Sequence, residues 1–232
     1  MFTDIHSHIL YDVDDGAKDI TMSIQMIEAA IKENIHHIVL TPHVQSRVTK
    51  VSRDVHIKHF NVLNERVKAL NLPVTLHLGA EVTYRSHLKP NYHEYTLGSS
   101  NYVLVEFSMR EPQEIEDVIF DISRMGFIPI VAHVERYPYL SIDDIVAIKK
   151  YGLIQVNTSS ILGFDNVVKP KYVLKLLKLG LVDIIASDAH NLDKRIPNLK
   201  TCYDFLSKHL EKDVLDKIFI DNVKPIIETM SR

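Results

Sequence analysis

The sequence holds a single cysteine, Cys202, in 232 residues. One thiol excludes an intramolecular disulfide and any thiolate zinc cluster, and it fits a reducing compartment. Long apolar runs are also missing, since none approaches the ~18 residues that a membrane-spanning helix requires. The N-terminus, MFTDIHSHIL, places Asp4 and two histidines where a secretory leader needs a basic start and an apolar stretch. The chain is therefore expected to be cytoplasmic and unprocessed, with no membrane insertion. Neither sign of charge is in excess: Lys and Arg number 27 against 30 Asp and Glu, a net −3. That balance gives no global reason to bind nucleic acid or an anionic surface. Glycine is scarce at 7 residues, so phosphate is not gripped by a Gly-rich loop, and neither G-x-x-x-x-G-K-[ST] nor G-x-S-x-G occurs. Six positions after Cys202 stands Lys208, which removes the C-x5-R loop of cysteine phosphatases and leaves Cys202 as an expected core residue of a helix. Linkers and low-complexity tracts are absent as well. The length predicts one domain over 1–232, long enough to bury a sizeable core.

What the chain does have is histidine, 13 in all, and an ordered place for several of them. Short apolar, β-branched runs recur at 2–5, 35–40, 74–78, 102–105, 127–132, 153–156 and 182–186, each of strand length. Several are apolar at consecutive positions, as in strands buried on both faces. Between them lie stretches of helical spacing. Ser23, Met26, Ile27, Ala30 and Ile31 form one apolar face, Val62, Leu63, Val67 and Leu70 a second, and Ile115, Val118, Ile119, Ile122 and Met125 a third. Further helices are expected within 142–150, 171–179 and 197–210. Asp19 and Ser141 stand where N-caps belong, and Gly126, Gly152 and Gly180 where helices should stop. Strand and helix thus alternate about seven times, a pattern of βαβ units and a largely parallel sheet. The segment 84–101 is the most loop-like and is read as a lid or an insertion.

The strand ends carry the chemistry. Strand one runs into His6-Ser7-His8 and then Asp14-Asp15-Gly16; strand two into Thr41-Pro42-His43; strand three into Gly79-Ala80-Glu81. Strand four ends on Glu106, strand five on His133 and strand seven on Asp188-Ala189-His190. In a parallel barrel these edges converge on one mouth, where active sites lie, whereas an open sheet would spread them apart. A closed or distorted barrel is therefore favoured over a doubly wound sheet. Imidazoles and carboxylates without thiolates suit divalent Mn, Fe or Zn. His6 and His8, two apart on a strand end, can share one ion, and Glu81, Glu106 and Asp188 can bridge ions. So many donors exceed what one ion takes, which implies two or three metals suited to activating water and clamping phosphate. Arg136, three past His133, and Arg195, five past His190, suit bidentate binding of phosphate oxygens. The remaining histidines, His36, His37, His56, His59, His77, His87, His93 and His209, are expected to be structural.

Taken as a set, His6-x-His8, Asp15-Gly16, Thr-Pro-His43, Gly-x-Glu81, Glu106-Phe, Ala-His133-x-Glu-Arg136-Tyr137 and Ser-Asp188-x-His190-Asn191 resemble the PHP (polymerase and histidinol phosphatase) superfamily. More narrowly they resemble the manganese-dependent tyrosine-protein phosphatases of capsule and exopolysaccharide operons in Gram-positive bacteria. The likeness runs from Asp4 to Asn222. It implies a distorted (β/α)7 barrel, TIM-barrel-like, with three metals. His6, His8, Glu81 and Asp188 would hold one ion; Glu81, Glu106 and His133 a second; Asp15, His43 and His190 the third, with Asp14 as the alternative to Asp15. It also implies Mn2+ as cofactor, with Fe or Zn as substitutes. The implied substrate is a phosphotyrosine protein, the tyrosine-rich tail of a membrane-associated kinase that controls polysaccharide export. Two departures are Val134, where many relatives have proline, and Tyr11 in the loop after His8. Tyr84 and Tyr137 are expected on the rim of the mouth. The competing readings are histidinol phosphatase or another small-molecule phosphoesterase on the same barrel, a metal-dependent amidohydrolase, for which no strand end supplies the bridging lysine, and a metal-stabilised binding module. An oligomer is left open.

Overall fold

The computed structural model describes residues 1–230; the last two positions of the expected 1–232 span, Ser231 and Arg232, lie outside it. The strands are β1 (Phe2–Ser7), β2 (Ile35–Leu40), β3 (His43–Val44), β4 (Thr75–Leu78), β5 (Glu81–Thr83), β6 (Tyr102–Glu106), β7 (Ile128–Val131), β8 (Leu153–Asn157) and β9 (Ile184–Ala186). All pair in parallel, in one sheet of order β1-β2-β4 and another of order β3-β5-β6-β7-β8-β9. Only Thr41-Pro42 separates β2 from β3 and only Gly79-Ala80 separates β4 from β5. The seven strand positions read from the sequence are therefore all present, with two of them bent. Pro42 has no N–H for the ladder, and its carbonyl instead accepts from Glu81 N–H at 3.1 Å. The outer edges meet: Asp188 N–H donates to His6 O at 2.9 Å, His8 N–H to Ala189 O at 2.8 Å, and Ser7 bridges to Ala189. This is the distorted seven-position barrel.

Helices α1 (Ile20–Lys32), α2 (Arg53–Ala69), α3 (Ile115–Arg124), α4 (Ile142–Ile148), α5 (Thr158–Leu162), α6 (Pro170–Lys178), α7 (Leu199–Leu206), α8 (Lys212–Asp216) and α9 (Lys224–Met230) alternate with or follow the strands. Asp19 caps α1 by accepting from Met22 N–H, and Ser141 caps α4 in a capping box with Asp144. Gly126 and Gly180 adopt left-handed φ of 92° and 68° just past α3 and α6. Gly152 serves otherwise: a Cβ there would sit 2.7 Å from Ile119 Cγ2 and 2.8 Å from Pro129 O, so close packing requires glycine. The expected helix faces need correction at their edges. On α2 the buried residues are His56, Leu63 and Val67, while Val62 and Leu70 are exposed. On α3 the end residue Met125 is exposed. Cys202 is buried on α7 as expected.

Two layers fill the barrel. Ile5, Val39, Leu104, Ile130, Ala132, Ile184 and Ala186 point inward and form an apolar cluster with Leu97 and with Val223 and Ile226 of the C-terminal segment. Tyr102 and Leu153, at the starts of β6 and β8, pack on the same cluster, so the C-terminal segment plugs the end where strands begin. Period-two alternation then places the next inward residues one step further along each strand: Glu106 after Leu104, Asp188 after Ala186. In β1 the register shifts between Asp4 and Ser7. The irregularity lets Ile5 join the apolar layer while His6 and His8 enter the polar one. The segment 84–101 is no free lid, because Leu97 is fully buried and its N–H bonds Tyr102 O at 2.9 Å.

Asp4 ties the barrel's edges together. Its carboxylate accepts from Ser187 N–H at 3.0 Å, from the Ser187 hydroxyl, and from His6 N–H at 3.4 Å. Burial raises its pKa, with the Ser187 bonds pulling the other way. Replacing Asp4 with Ala leaves buried donors on Ser187 unmatched, at a cost of about 1–3 kcal/mol. Urea denaturation of Asp4→Ala should show a lower midpoint with an unchanged slope.

Candidate metal centre

The strand ends bring nine side chains into one connected cluster. His6 Nε2 and His8 Nε2 stand 3.3 Å apart. Glu81 Oε1 lies 3.4 Å from His6 Nε2, Glu81 Oε2 lies 3.3 Å from His8 Nε2, and Asp188 Oδ1 lies 3.4 Å from both nitrogens. Around an ion with ligands at about 2.1 Å, adjacent ligand atoms are separated by roughly 3–3.5 Å, so this donor set fits one ion. His43, Glu81 and Glu106 form a second group, with His133 Nε2 at 2.9 Å from Glu81 Oε1 and 3.7 Å from Glu106 Oε1. A third joins Asp15, His43 and His190, and His8 is close enough to share it. Glu81 touches the first two groups and His43 the last two.

The surrounding hydrogen bonds turn the imidazoles outward from their own backbones. His8 Nδ1–H donates to Asp14 at 2.8 Å, His6 Nδ1–H to Gln155 Oε1 at 3.2 Å, and His190 Nδ1–H to Asp188 O at 2.9 Å. Each leaves Nε2 toward the cluster, the arrangement by which outer partners fix a metal-binding tautomer. His190 Nε2 is buried without a hydrogen-bond partner, and so is His43 Nδ1, although Glu81 Oε2 is only 3.0 Å away. Buried unpartnered nitrogens facing carboxylates are what a cation between them would satisfy. Among the described residues, none of the eight remaining histidines joins these groups.

Of the adjacent aspartates, Asp15 faces His43 and His190 at 3.8 and 3.5 Å and is half-exposed. Asp14 is buried and orients others: besides His8 it accepts from Gly16 N–H at 2.9 Å and His43 N–H at 3.0 Å. Gly16 lies against His8, and a Cβ there would meet His8 O at 2.0 Å, so only glycine fits the turn. His133 and Asp188 hold left-handed φ of 33° and 51°, strained for non-glycine residues. Such strain collects at functional sites, and here it swings both side chains from their strand ends into the mouth.

Several contributors were not singled out from the sequence. Gln155 accepts from His133 N–H as well as His6, and its amide donates to Asn157, whose own amide donates to Asp188 Oδ2 at 2.7 Å. Their position on β8, the one strand that ends on no ligand type, was the available signal. Thr83 donates to Glu106 at 2.8 Å. Asp165 pairs with Arg136 at 2.8 Å. Arg136 also reaches Asp188 at 3.2 Å, and Arg195 bonds the same carboxylate oxygen while its buried Nε keeps a free N–H. Tyr137 is not on the rim: it is 1% exposed, and its hydroxyl accepts from Phe107 N–H at 3.0 Å. Tyr84 is half-buried beside Phe107.

The imidazoles and carboxylates of the cluster shift one another's pKa values. Burial works against charge on His8, yet Asp14, Asp188 and Glu81 hold its pKa well above the usual imidazole value. His43 and His133 are raised as well, against burial, chiefly by Glu81. Burial would raise Glu81, but His6, His43 and His133 hold it well below the carboxylate range. Its neighbour Glu106 goes the other way, pushed up by burial and by the Glu81 charge. Burial and the nearby His8 charge bring His190 down to about 4, so it is neutral at pH 7.

Two outcomes follow for metal uptake. A cation must displace the protons on His8, His43 and His133, so binding should release protons near neutrality and weaken as pH falls. Calorimetric titration with Mn2+ in buffers of different ionisation enthalpy measures that release directly. Gln155→Ala removes the partner of His6 and should weaken metal binding by about 10–100-fold, read by the same titration.

The model of the capsular polysaccharide synthesis CpsB/CapC family matches residues 2–228. A tyrosine-protein phosphatase CpsB of Streptococcus agalactiae is 30% identical over 97% of this chain and 98% of its own length. Crystal structures of YwqE from Bacillus subtilis and CpsB from Streptococcus pneumoniae, described as metal-dependent tyrosine phosphatases, are matched with a TM-score of 0.82 at 27% identity. That match covers 92% of this chain and 89% of the matched one. The dihydropyrimidinase of Brevibacillus agri shares the fold alone, with a TM-score of 0.59 at 10% identity over 96% of this chain and 70% of that one.

Proposed function

The chain belongs to the capsular polysaccharide synthesis CpsB/CapC family, and on that premise we propose that it is a metal-dependent protein-tyrosine phosphatase. The observation that carries this reading is the convergence of imidazoles and carboxylates beside two arginines that share Asp188. In this reading His6, His8, Glu81 and Asp188 hold one divalent ion, Glu81, Glu106 and His133 a second, and Asp15, His43 and His190 a third, with Mn2+ as the physiological ion. Such ions, when bound, supply an activated water and offset phosphate charge.

The chain's own residues do the rest. Arg136 and Arg195 bind the equatorial phosphoryl oxygens and stabilise charge that builds in the transition state. Asp165 holds Arg136 through its Nε and Nη2 atoms, so the guanidinium plane is set before substrate arrives. Arg195, held to Asp188 through Nη2, leaves part of its side chain exposed. Asn157 and Gln155 keep Asp188 and His6 in register with each other. A phenolate leaving group, of parent pKa about 10, needs no strong acid. The substrate is the phosphotyrosine-bearing tail of a membrane-associated kinase governing polysaccharide export. That places the enzyme in the cytoplasm, where a kinase meets ATP; among the described residues no helix is long and apolar enough to cross a membrane.

The test compares a phosphotyrosine peptide with histidinol phosphate on metal-stripped protein, with and without added Mn2+. Phosphate release from the peptide alone, restored by Mn2+, is expected. Preference for histidinol phosphate overturns the substrate and keeps the metal centre. Arg136→Ala should retain bound metal, measured by elemental analysis, and lose about 100–1,000-fold in kcat; full activity in that variant removes Arg136 from the mechanism.

A further inference from the structure

Arginine is the side chain best suited to hold an oxyanion, because its planar fork of donors matches carboxylate and phosphate. Arg136 and Arg195 are already engaged by Asp188 and Asp165. Arg85 is different. It is half-buried, its Nε donates to Gln45 O at 2.6 Å, and among the described residues it has no carboxylate partner. Its two terminal nitrogens are free.

The strands fix where those nitrogens stand. His43 pairs with Glu81 and Val44 with Val82, and Gln45 is the first residue past the end of β3. Gln45 takes a left-handed φ of 60°, and its carbonyl receives Arg85 there. On the other strand Glu81 faces the cluster and Thr83, the last residue of β5, bonds Glu106, and Arg85 stands two residues past that end. The guanidinium therefore lies on the rim, above the donors and tethered at one nitrogen. A tyrosyl phosphate that reaches the floor leaves its peptide backbone one phenyl ring higher, at that rim.

The charge around the mouth is uneven. The segment 84–90 carries Arg85, His87 and Lys89 with no acid, and Arg47 is exposed on the neighbouring loop. In the adjoining segment past β6, the neighbour of β5, 107–117 carries Glu111, Glu114, Glu116 and Asp117 against Arg110 alone. An anion beside the phosphotyrosine is drawn to the first side and repelled by the second.

Resting on the phosphatase reading above, we propose that Arg85 is a specificity-determining residue that binds an anionic side chain of the substrate next to the phosphotyrosine being hydrolysed. A carboxylate and a second phosphotyrosine share the required chemistry. The experiment measures kcat/KM, with Mn2+, for three peptides of one sequence: neutral flanks, aspartate flanks, and a second phosphotyrosine. It uses the wild type, Arg85→Gln, Arg85→Lys and Lys89→Gln. Wild type should favour an anionic flank by about fivefold through KM, and the larger of the two ratios identifies the source. Arg85→Gln should bring the ratio to about one, while Arg85→Lys should keep part of it and Lys89→Gln most of it. No flank preference in wild type overturns the proposal, as does an undiminished preference in Arg85→Gln. Failure to hydrolyse even the neutral peptide overturns the phosphatase reading instead. In that case anisotropy of the same peptides, labelled, decides on Arg85: equal affinity of wild type and Arg85→Gln for the anionic peptides rejects it.

Discussion

One buried carboxylate organises the mouth. Asp188 presents Oδ1 to His6, His8 and His190, and Oδ2 to Asn157, Arg136 and Arg195. Burial alone would neutralise it, but Arg195, His6, His8 and His190 hold its pKa well below the ordinary range. An isolated buried charge is very costly, so each donor around Asp188 is there of necessity. Because one face serves the cluster and the other the arginines, a single side chain sets the distance between the donor cluster and the two guanidinium groups. Its left-handed backbone is the strain accepted for that placement.

The histidines follow the same economy. Three of them give Nδ1–H to Asp14, Gln155 or the Asp188 carbonyl and keep Nε2 for the cluster. Asp14 serves two at once, through the ring of His8 and the backbone of His43. Asp14 therefore positions two donors that between them reach all three groups. Its neighbour Asp15 stays half-exposed and free to face inward. The adjacent pair divides the work between orienting and facing the centre, and Gly16 makes the turn tight enough for both.

Much of this was legible in the chain. Seven strands and their ligand-bearing ends could be read because buried parallel strands are written as short β-branched runs and their ends as abrupt polar residues. What escaped reading was set by tertiary contact. Gln155 and Asn157 look like ordinary polar residues inside β8, and only closure of the barrel reveals their partners. Thr83 and Asp165 are likewise assigned by neighbours distant in sequence. Tyr137 sits among functional residues, yet its ring packs edge-on to Phe107 and its hydroxyl is bound to backbone, which no local pattern signals. The breaks at Pro42 and Gly79-Ala80 were visible as residues but not as bends. The outward turn of Val62 and Leu70 on α2 was hidden by a spacing compatible with more than one face.

The irregular, apolar-plugged barrel has a consequence for how the molecule comes into being. His6 and His8 stand some 180 residues before Asp188 and His190 in the chain, and Val223 and Ile226 follow later still. Closing a ring across such separations is slow, because chain entropy is lost before the contacts form. During synthesis the early histidines have neither the carboxylate that complements them nor the plug that stabilises their strand. Until the ring closes the imidazoles have no cage, and the donor cluster exists only in the closed barrel. Any preference among cations is therefore a property of the closed barrel and not of a local stretch of sequence.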